Sequence, residues 1–373
     1  MRAGLYFHVP FCVRKCRYCS FNSIPFDKEI AKKYVLAILK EMEMRRGDIQ
    51  PLSVYVGGGT PTVLPMESLR LLLEGIGEYF NPEGGTELTL EANPGSLGRI
   101  DFSTLQALGV NRVSLGAQSF DPEELRALGR IHGPGEIKRA VEGLRASGIN
   151  NISLDLIYSL PGQGLHGWQN SLDEAVSLSP EHISLYDLSI EEGTEFHAKQ
   201  KAGRLTLPPE TVQVEMYLLA VSRLKEAGYA RYEISNFARP GHECVHNLNY
   251  WSAGDFIGFG AGAHSRAKGH AVWNILDVAR YIERLEKGVD PAESSEVLTP
   301  EEREREFLML GLRKSGGFSL EEYETRFGKD FLDKYGAIAM KMADAGYMVI
   351  SEGKACLTMR GVLASNRVIT EFF

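Results

Sequence analysis

The sequence predicts an α/β protein: a partial (β/α)6 barrel followed by a small C-terminal α+β domain of winged-helix-like layout. Three observations carry this reading. Short apolar segments alternate with helical patterns through Leu188, the signature of parallel strands joined by right-handed crossovers. Cysteine, glycine and acidic motifs stand at the ends of those apolar segments, where parallel barrels place their chemistry. From Glu301 onward the chain reads helix, helix, helix, hairpin.

The candidate strands are Leu5–Val9, Ser53–Val56, Glu87–Glu91, Arg112–Gly116, Ile152–Ile157 and His182–Leu188. Between them lie helices Lys28–Arg46, Met66–Tyr79, Asp101–Ala107, Gly135–Ala146 and Gly167–Leu178. Asp121-Pro122-Glu123-Glu124 has the form of an N-cap followed by proline at the first helical position. Pro208-Pro209-Glu210 opens a further helix, Thr211–Ala227, after which the chain turns irregular and glycine-rich through Gly269. Ala292–Pro300 is polar, acidic and closed by proline, and reads as a linker. Helices Glu301–Lys314, Ser319–Phe327 and Phe331–Ala345 follow, then the strand pair Met348–Ser351 and Ala355–Thr358. The expected domains are residues 1–205 for the core barrel, 206–291 for a region completing it, and 300–373 for the C-terminal module.

The 373 residues are 43% hydrophobic and carry a formal net charge of −8. No overall basic field exists to attract nucleic acid, so no nucleic-acid partner is expected. Arg45-Arg46 and Glu301 to Arg305 read as solvated faces. No signal peptide or run long enough for a membrane span is apparent. With five cysteines in so long a chain, a disulfide scaffold is not expected, and a reducing, cytoplasmic setting is.

Cys12, Cys16 and Cys19 occur as Cys-Val-Arg-Lys-Cys-Arg-Tyr-Cys directly after the first strand. So tight a loop presents three thiolates to one centre, as in iron–sulfur clusters or zinc sites. Zinc would need a fourth donor, for which His8 stands nearby. Arg14, Lys15 and Arg17 either offset cluster charge or are exposed loop cations. Tyr55-Val56-Gly57-Gly58-Gly59-Thr60-Pro61 ends the second strand; its glycines allow close backbone approach and N–H donation to a ligand.

The cysteine spacing, with Tyr18 before the last cysteine, resembles the radical-SAM signature. Most of the chain resembles the family of oxygen-independent coproporphyrinogen III dehydrogenase and its relative, the haem chaperone HemW. The resemblance implies a 4Fe–4S cluster on Cys12, Cys16 and Cys19, with one iron left to chelate S-adenosylmethionine. It implies that Gly58, Gly59 and Thr60 bind the methionine amino group. Tyr6 on the first strand, Glu91 in Glu-Ala-Asn-Pro, Gln118 in Gly-Ala-Gln-Ser-Phe, Arg130 in Leu-Gly-Arg-Ile-His and Asp155 in Asp-Leu-Ile-Tyr-Ser-Leu-Pro-Gly-Gln would surround that cofactor. The carboxylates suit ribose hydroxyls or an ammonium, and Arg130 suits a two-pronged carboxylate contact.

Within the family, the dehydrogenase branch has a fourth cysteine where this chain has Phe21, and an extension before the first strand. Both differences resemble the chaperone branch. His246-Asn247-Leu248-Asn249-Tyr250-Trp251 is similar to that branch's His-Asn-x-x-Tyr-Trp motif, which implies His246 as a haem ligand. Cys244 and His242 are alternative ligands, and a structural loop is the other reading of the segment. Ala253 to Ser265 resembles the stretch returning to the adenine side of the site, with His264 structural. The expected function is a haem chaperone carrying haem as cargo to an acceptor protein, with an acceptor at the inner membrane, an electron donor and a homodimer left open. The alternatives are a radical oxidoreductase acting on a tetrapyrrole and, third, a radical methyltransferase.

Overall fold

A computed structural model describes residues 1–373, the Arg99 side chain excepted. The core is one twelve-stranded sheet. Its strands are β1 (Arg2–Val9), β2 (Gln50–Gly58), β3 (Glu87–Ala92), β4 (Arg112–Gln118), β5 (Asn151–Tyr158), β6 (His182–Asp187), β7 (Ala230–Arg231), β8 (Asn236–Ala238), β9 (Phe256–Phe259), β10 (His264–Ala267), β11 (His270–Asn274) and β12 (Ala292–Val297). Their order across the sheet is β12-β11-β10-β9-β1-β2-β3-β4-β5-β6-β8-β7. The run from β9 to β6 is parallel; β10–β12 and β8–β7 extend it antiparallel on either side. The outer neighbour of β1 is β9 rather than β6, so the barrel is open.

Side chains alternate across this sheet. One face is apolar and buried against the helices: Leu5, Phe7 and Val9 on β1, Val54 and Val56 on β2, Leu88 and Leu90 on β3, Val113 and Leu115 on β4, and Ile152, Leu154 and Leu156 on β5. The other face turns inward and is mostly polar: Ser53 and Tyr55, Glu87, Thr89 and Glu91, Arg112 and Ser114, Ser153 and Asp155, His182 and Ser184. The covering helices are Lys28–Arg45, Met66–Phe80, Phe102–Ala107, Pro134–Ala146, Leu165–Ser177 and Glu210–Glu226. Asp27, Asp101 and Asp121 cap their helices by accepting from the first free N–H groups.

Two segments differ from the expected secondary structure, and Arg45 and Glu304, read as parts of solvated faces, are instead held in ion pairs with Glu41 and Lys334. Ala292–Val297, read as a linker, is strand β12, paired with β11. The glycine-rich stretch after Tyr229, expected to be irregular through Gly269, contributes strands β7 to β10 and the helix Val245–Trp251. It is locked to the first helix by Glu41, which is fully buried. Its carboxylate accepts from Gly260 N at 2.8 Å, Asn274 Nδ2 at 2.7 Å and Tyr281 OH at 2.5 Å, and pairs with Arg45 at 2.8 Å.

The C-terminal module packs helices Pro300–Gly311, Leu320–Phe327 and Phe331–Asp344 on a small sheet of β13 (Phe318–Ser319), β14 (Met348–Ser351) and β15 (Lys354–Leu357). Phe307, Phe318, Tyr323, Phe331 and Tyr335 form its aromatic core. Two short helices, Met359–Leu363 and Ser365–Thr370, follow. Among the described residues no helix is long and apolar enough to cross a membrane.

Removing a buried carboxylate that satisfies four partners leaves Arg45 without its buried ion-pair partner. Glu41→Ala is expected to cost about 3–5 kcal/mol in urea unfolding; a loss below about 1 kcal/mol would contradict the locking role.

Candidate functional site

The strands deliver their C-terminal ends to one cavity of about 390 Å³, within the range of roughly 300–1,000 Å³ usual for small-molecule sites. Cys12, Cys16 and Cys19 line it together with Gly58, Gly59, Thr60, Glu91, Gln118, Arg130 and Asp155. Of the residues expected around the cofactor, only Tyr6 is not on its lining; His246, the expected haem ligand, is not on it either.

The cysteine loop is anchored at both ends. Phe11–Cys12 pairs in parallel with Ile24–Pro25, and Arg17 N donates to Leu128 O. Burial pushes the thiols of Cys12 and Cys19 up, and a coordinated metal would displace their protons. Among the described residues no three His, Cys, Asp or Glu side chains converge on a single-ion site. His8 is no fourth zinc donor: Nε2–H donates to Asn22 O at 2.9 Å and Nδ1 accepts from Tyr6 OH at 3.0 Å, so no ring lone pair is free. Three thiols around one cavity, without a fourth donor, fit a polynuclear cluster whose ligands spread over several irons.

Arg130 corrects an expectation. It does not await a carboxylate with both prongs free; Nη1 donates to Cys16 Sγ at 3.4 Å and Nη2 to Gly116 O at 2.7 Å. A guanidinium beside a cluster thiolate stabilises its negative charge. Arg14 and Lys15 also line the cavity, whereas Arg17 turns away, to Glu195 at 3.5 Å.

The glycine strip works differently from a donor nest. Gly58 N donates to Glu91 Oε2 at 3.0 Å, Gly59 N to Val9 O at 2.8 Å and Thr60 N to Phe11 O at 2.8 Å. All three N–H groups are spent inside the protein, which suits a cation better than an anion. Lack of side chains is what permits the approach: a Cβ on Gly57 would stand 2.7 Å from the Glu91 carboxyl carbon, and one on Gly59 2.7 Å from Phe11 O.

Glu91 is held from two sides, since Tyr55 OH donates to Oε1 at 2.8 Å. Burial outweighs these donors and, with Asp155 nearby, lifts its carboxyl to about 7. Asp155 accepts from Ser114 Oγ at 3.1 and 3.0 Å and from Ser153 Oγ at 3.3 Å, and burial raises it too. Gln118 sits at φ 68°, left-handed for a non-glycine residue, a strain of about 1–3 kcal/mol that turns its side chain into the cavity beside Gly116. Tyr186 and Asp187, at the end of β6, also line the cavity; the alternation His-Ile-Ser-Leu-Tyr was the sequence signal for Tyr186.

Tyr6 lies a layer below, its ring 6.2 Å from that of Tyr55. His246 is deeper still, 1% exposed. Its Nδ1 is hydrogen-bonded to Ser53 Oγ at 2.9 Å and its Nε2 to Tyr250 OH at 3.1 Å. Cys244 is buried, donates to Glu87 Oε1 at 3.4 Å, and is pushed by burial to about 12. Neither group is presented to a ligand in this structure. His242 is the partly exposed member of the segment.

An open parallel barrel with three cysteines on the loop after its first strand, around a cavity of strand-end acids, defines a radical S-adenosylmethionine protein. The Radical SAM superfamily profile matches residues 6–175, and the HemN C-terminal domain profile residues 298–364. The chain is 37% identical to the heme chaperone HemW of Bacillus subtilis over 372 residues, covering 98% of both chains. It is 40% identical to that of Escherichia coli over 267 residues, 70% of each. The solved coproporphyrinogen III oxidase (HemN) of Escherichia coli superposes with a TM-score of 0.86 over 99% of this chain and 89% of that one, at 22% identity, a likeness of fold. The chain belongs to the heme chaperone HemW family of radical SAM proteins.

An amino N–H donor in the cavity is bound better by ionised than by neutral Glu91. Affinity for S-adenosylmethionine is therefore expected to rise as pH increases through about 7, and Glu91→Gln to flatten that rise. Equilibrium dialysis across this range checks it; an unchanged profile in the variant would remove Glu91 from the cofactor's partners.

Proposed function

We propose that this protein is a haem chaperone: it holds a 4Fe–4S cluster on Cys12, Cys16 and Cys19, binds S-adenosylmethionine in the adjoining cavity, and delivers haem to an acceptor protein. The observation that carries the reading is end-to-end similarity to proteins named heme chaperone HemW on a chain that supplies a three-thiol cavity. When bound, the cluster supplies an open iron for the cofactor's amino and carboxylate groups and a source of one electron. The chain's own groups orient the cofactor. Glu91 accepts from an N–H of its amino group, Asp155 from a hydroxyl, and Arg130 steadies the Cys16 thiolate. Phe21 stands where the dehydrogenase branch carries another cysteine, which favours transfer of haem over turnover of a porphyrinogen. Haem passed to a membrane acceptor would be handed over from the surface, as no helix among the described residues can span a bilayer.

The test is anaerobic reconstitution with iron and sulfide, hemin titration, and transfer to an apo-haemoprotein. Stoichiometric uptake and transfer, with coproporphyrinogen III left unchanged, are expected; turnover of coproporphyrinogen would instead establish the tetrapyrrole oxidoreductase. Cys16→Ala should lose the cluster's visible absorption while circular dichroism and Tm stay near wild type. A fully coloured variant would refute the cluster assignment.

A further inference from the structure

The segment Val245–Trp251 forms a short helix whose side chains close the interior of the open barrel beneath the cofactor cavity. Glu87 of β3 fixes its start, accepting from Val245 N and His246 N at 3.0 Å each. The backbone of β1 presses on it: a Cβ at Gly4 would lie 3.1 Å from Asn249 Nδ2 and 3.3 Å from the His246 ring. From this helix the His246 ring lies against Tyr55, centroids 5.0 Å apart and planes 28° apart, and edge-on to Tyr250 at 4.8 Å. Ser53 and Tyr55 are both on β2, two residues apart and on the same face. One bonds the imidazole and the other stacks on it. The hydroxyl of Tyr55 then reaches Glu91 on the cavity wall at 2.8 Å.

We propose that His246 is a positioning residue of the cofactor cavity: clamped between Ser53 and Tyr250, it fixes the ring of Tyr55 and through it the carboxylate of Glu91, and it is not an axial ligand of haem iron. This rests on the reading that S-adenosylmethionine occupies the cavity. An imidazole whose two nitrogens are both hydrogen-bonded, inside the protein and 1% exposed, has no lone pair to offer a metal. Burial, with Arg112 nearby, lowers its pKa to about 3, so the ring stays neutral and acts by shape and hydrogen bonding. The segment also joins the barrel floor to the C-terminal module, through Arg313 over the Trp251 ring at 5.1 Å and Lys314 Nζ donating to Ser252 Oγ at 3.2 Å.

The experiment uses reconstituted full-length protein and compares wild type, His246→Leu and Tyr55→Phe for S-adenosylmethionine affinity against pH and for the spectrum of bound hemin. The charged and titratable groups facing Glu91 are Tyr55, Asp155, Arg112, Tyr6 and Tyr186, together with the Gly58 N–H. Loss of the Tyr55 donor should weaken cofactor binding about tenfold, the scale of one hydrogen bond to a charged group. It should also move the midpoint of the pH profile upward, because that bond favours the carboxylate. Both variants should show these changes with hemin stoichiometry, Soret band and EPR signature as in wild type. A purely structural role for His246 would lower Tm without moving the midpoint. An altered hemin axial signature in His246→Leu, or an unmoved affinity and midpoint in either variant, would overturn the proposal. If His246→Leu fails to fold, His246→Gln takes its place, with the same hemin spectrum expected. Failure of the wild type to bind hemin would count against the chaperone function alone, since the affinity and midpoint comparison decides the role of His246 by itself.

Discussion

Polar side chains line the inner face of a parallel sheet, and each must find a partner where water is excluded. A buried donor or acceptor left alone costs about 1–3 kcal/mol, and this interior holds Ser53, Glu87, Thr89, Arg112, Ser114, Ser153, Asp155 and His182. The chain meets the constraint in two ways. Below, it satisfies most of them from within: Glu87 caps the helix Val245–Trp251, Ser53 bonds His246, and His182 is shared by Ser153 and Tyr232. Above, it leaves Glu91, Gln118 and Asp155 on a cavity wall, held in place but with capacity to spare. Open barrel, interior plug and cofactor cavity are three consequences of one inward-facing polar surface.

The outward half of that alternation is what made the fold legible. Leu5, Phe7 and Val9, or Leu88 and Leu90, mark their strands because helices cover them, and Asp27, Asp101 and Asp121 mark helix starts by local chemistry. The cysteine loop and the glycine strip were legible for the same reason: their meaning lies in spacing along the chain. What sequence did not show depends on distant segments meeting. Nothing in Glu87 announces that it caps a helix at Val245, or in Tyr55 that it bridges His246 and Glu91. Ala292–Val297 escaped because a strand exposed on both faces carries no apolar signal; backbone pairing with β11 alone defines it.

A histidine followed by aromatic residues reads equally well as a metal ligand or as a packing group, since the residue types are the same in both. Geometry separates them. His8 and His246 each use both ring nitrogens within the protein, and each stands behind a wall of the site rather than on it. The cysteines are the opposite case: half-buried, unpaired with one another and open to the cavity. In this chain the groups open to the cavity are those whose local partners are few, and the groups behind its wall are those whose partners are complete.

Strand β12 has one further consequence. It ends the twelve-stranded sheet, and its free side would be a template on which another chain could add a strand. Its sequence, Ala-Glu-Ser-Ser-Glu-Val, is largely exposed and carries Glu293 and Glu296. Charge on an exposed edge disfavours a second strand of like composition. The acidity that disguised this segment as a linker thus guards the sheet against growing from one molecule into the next, a defence against aggregation written into its outermost strand.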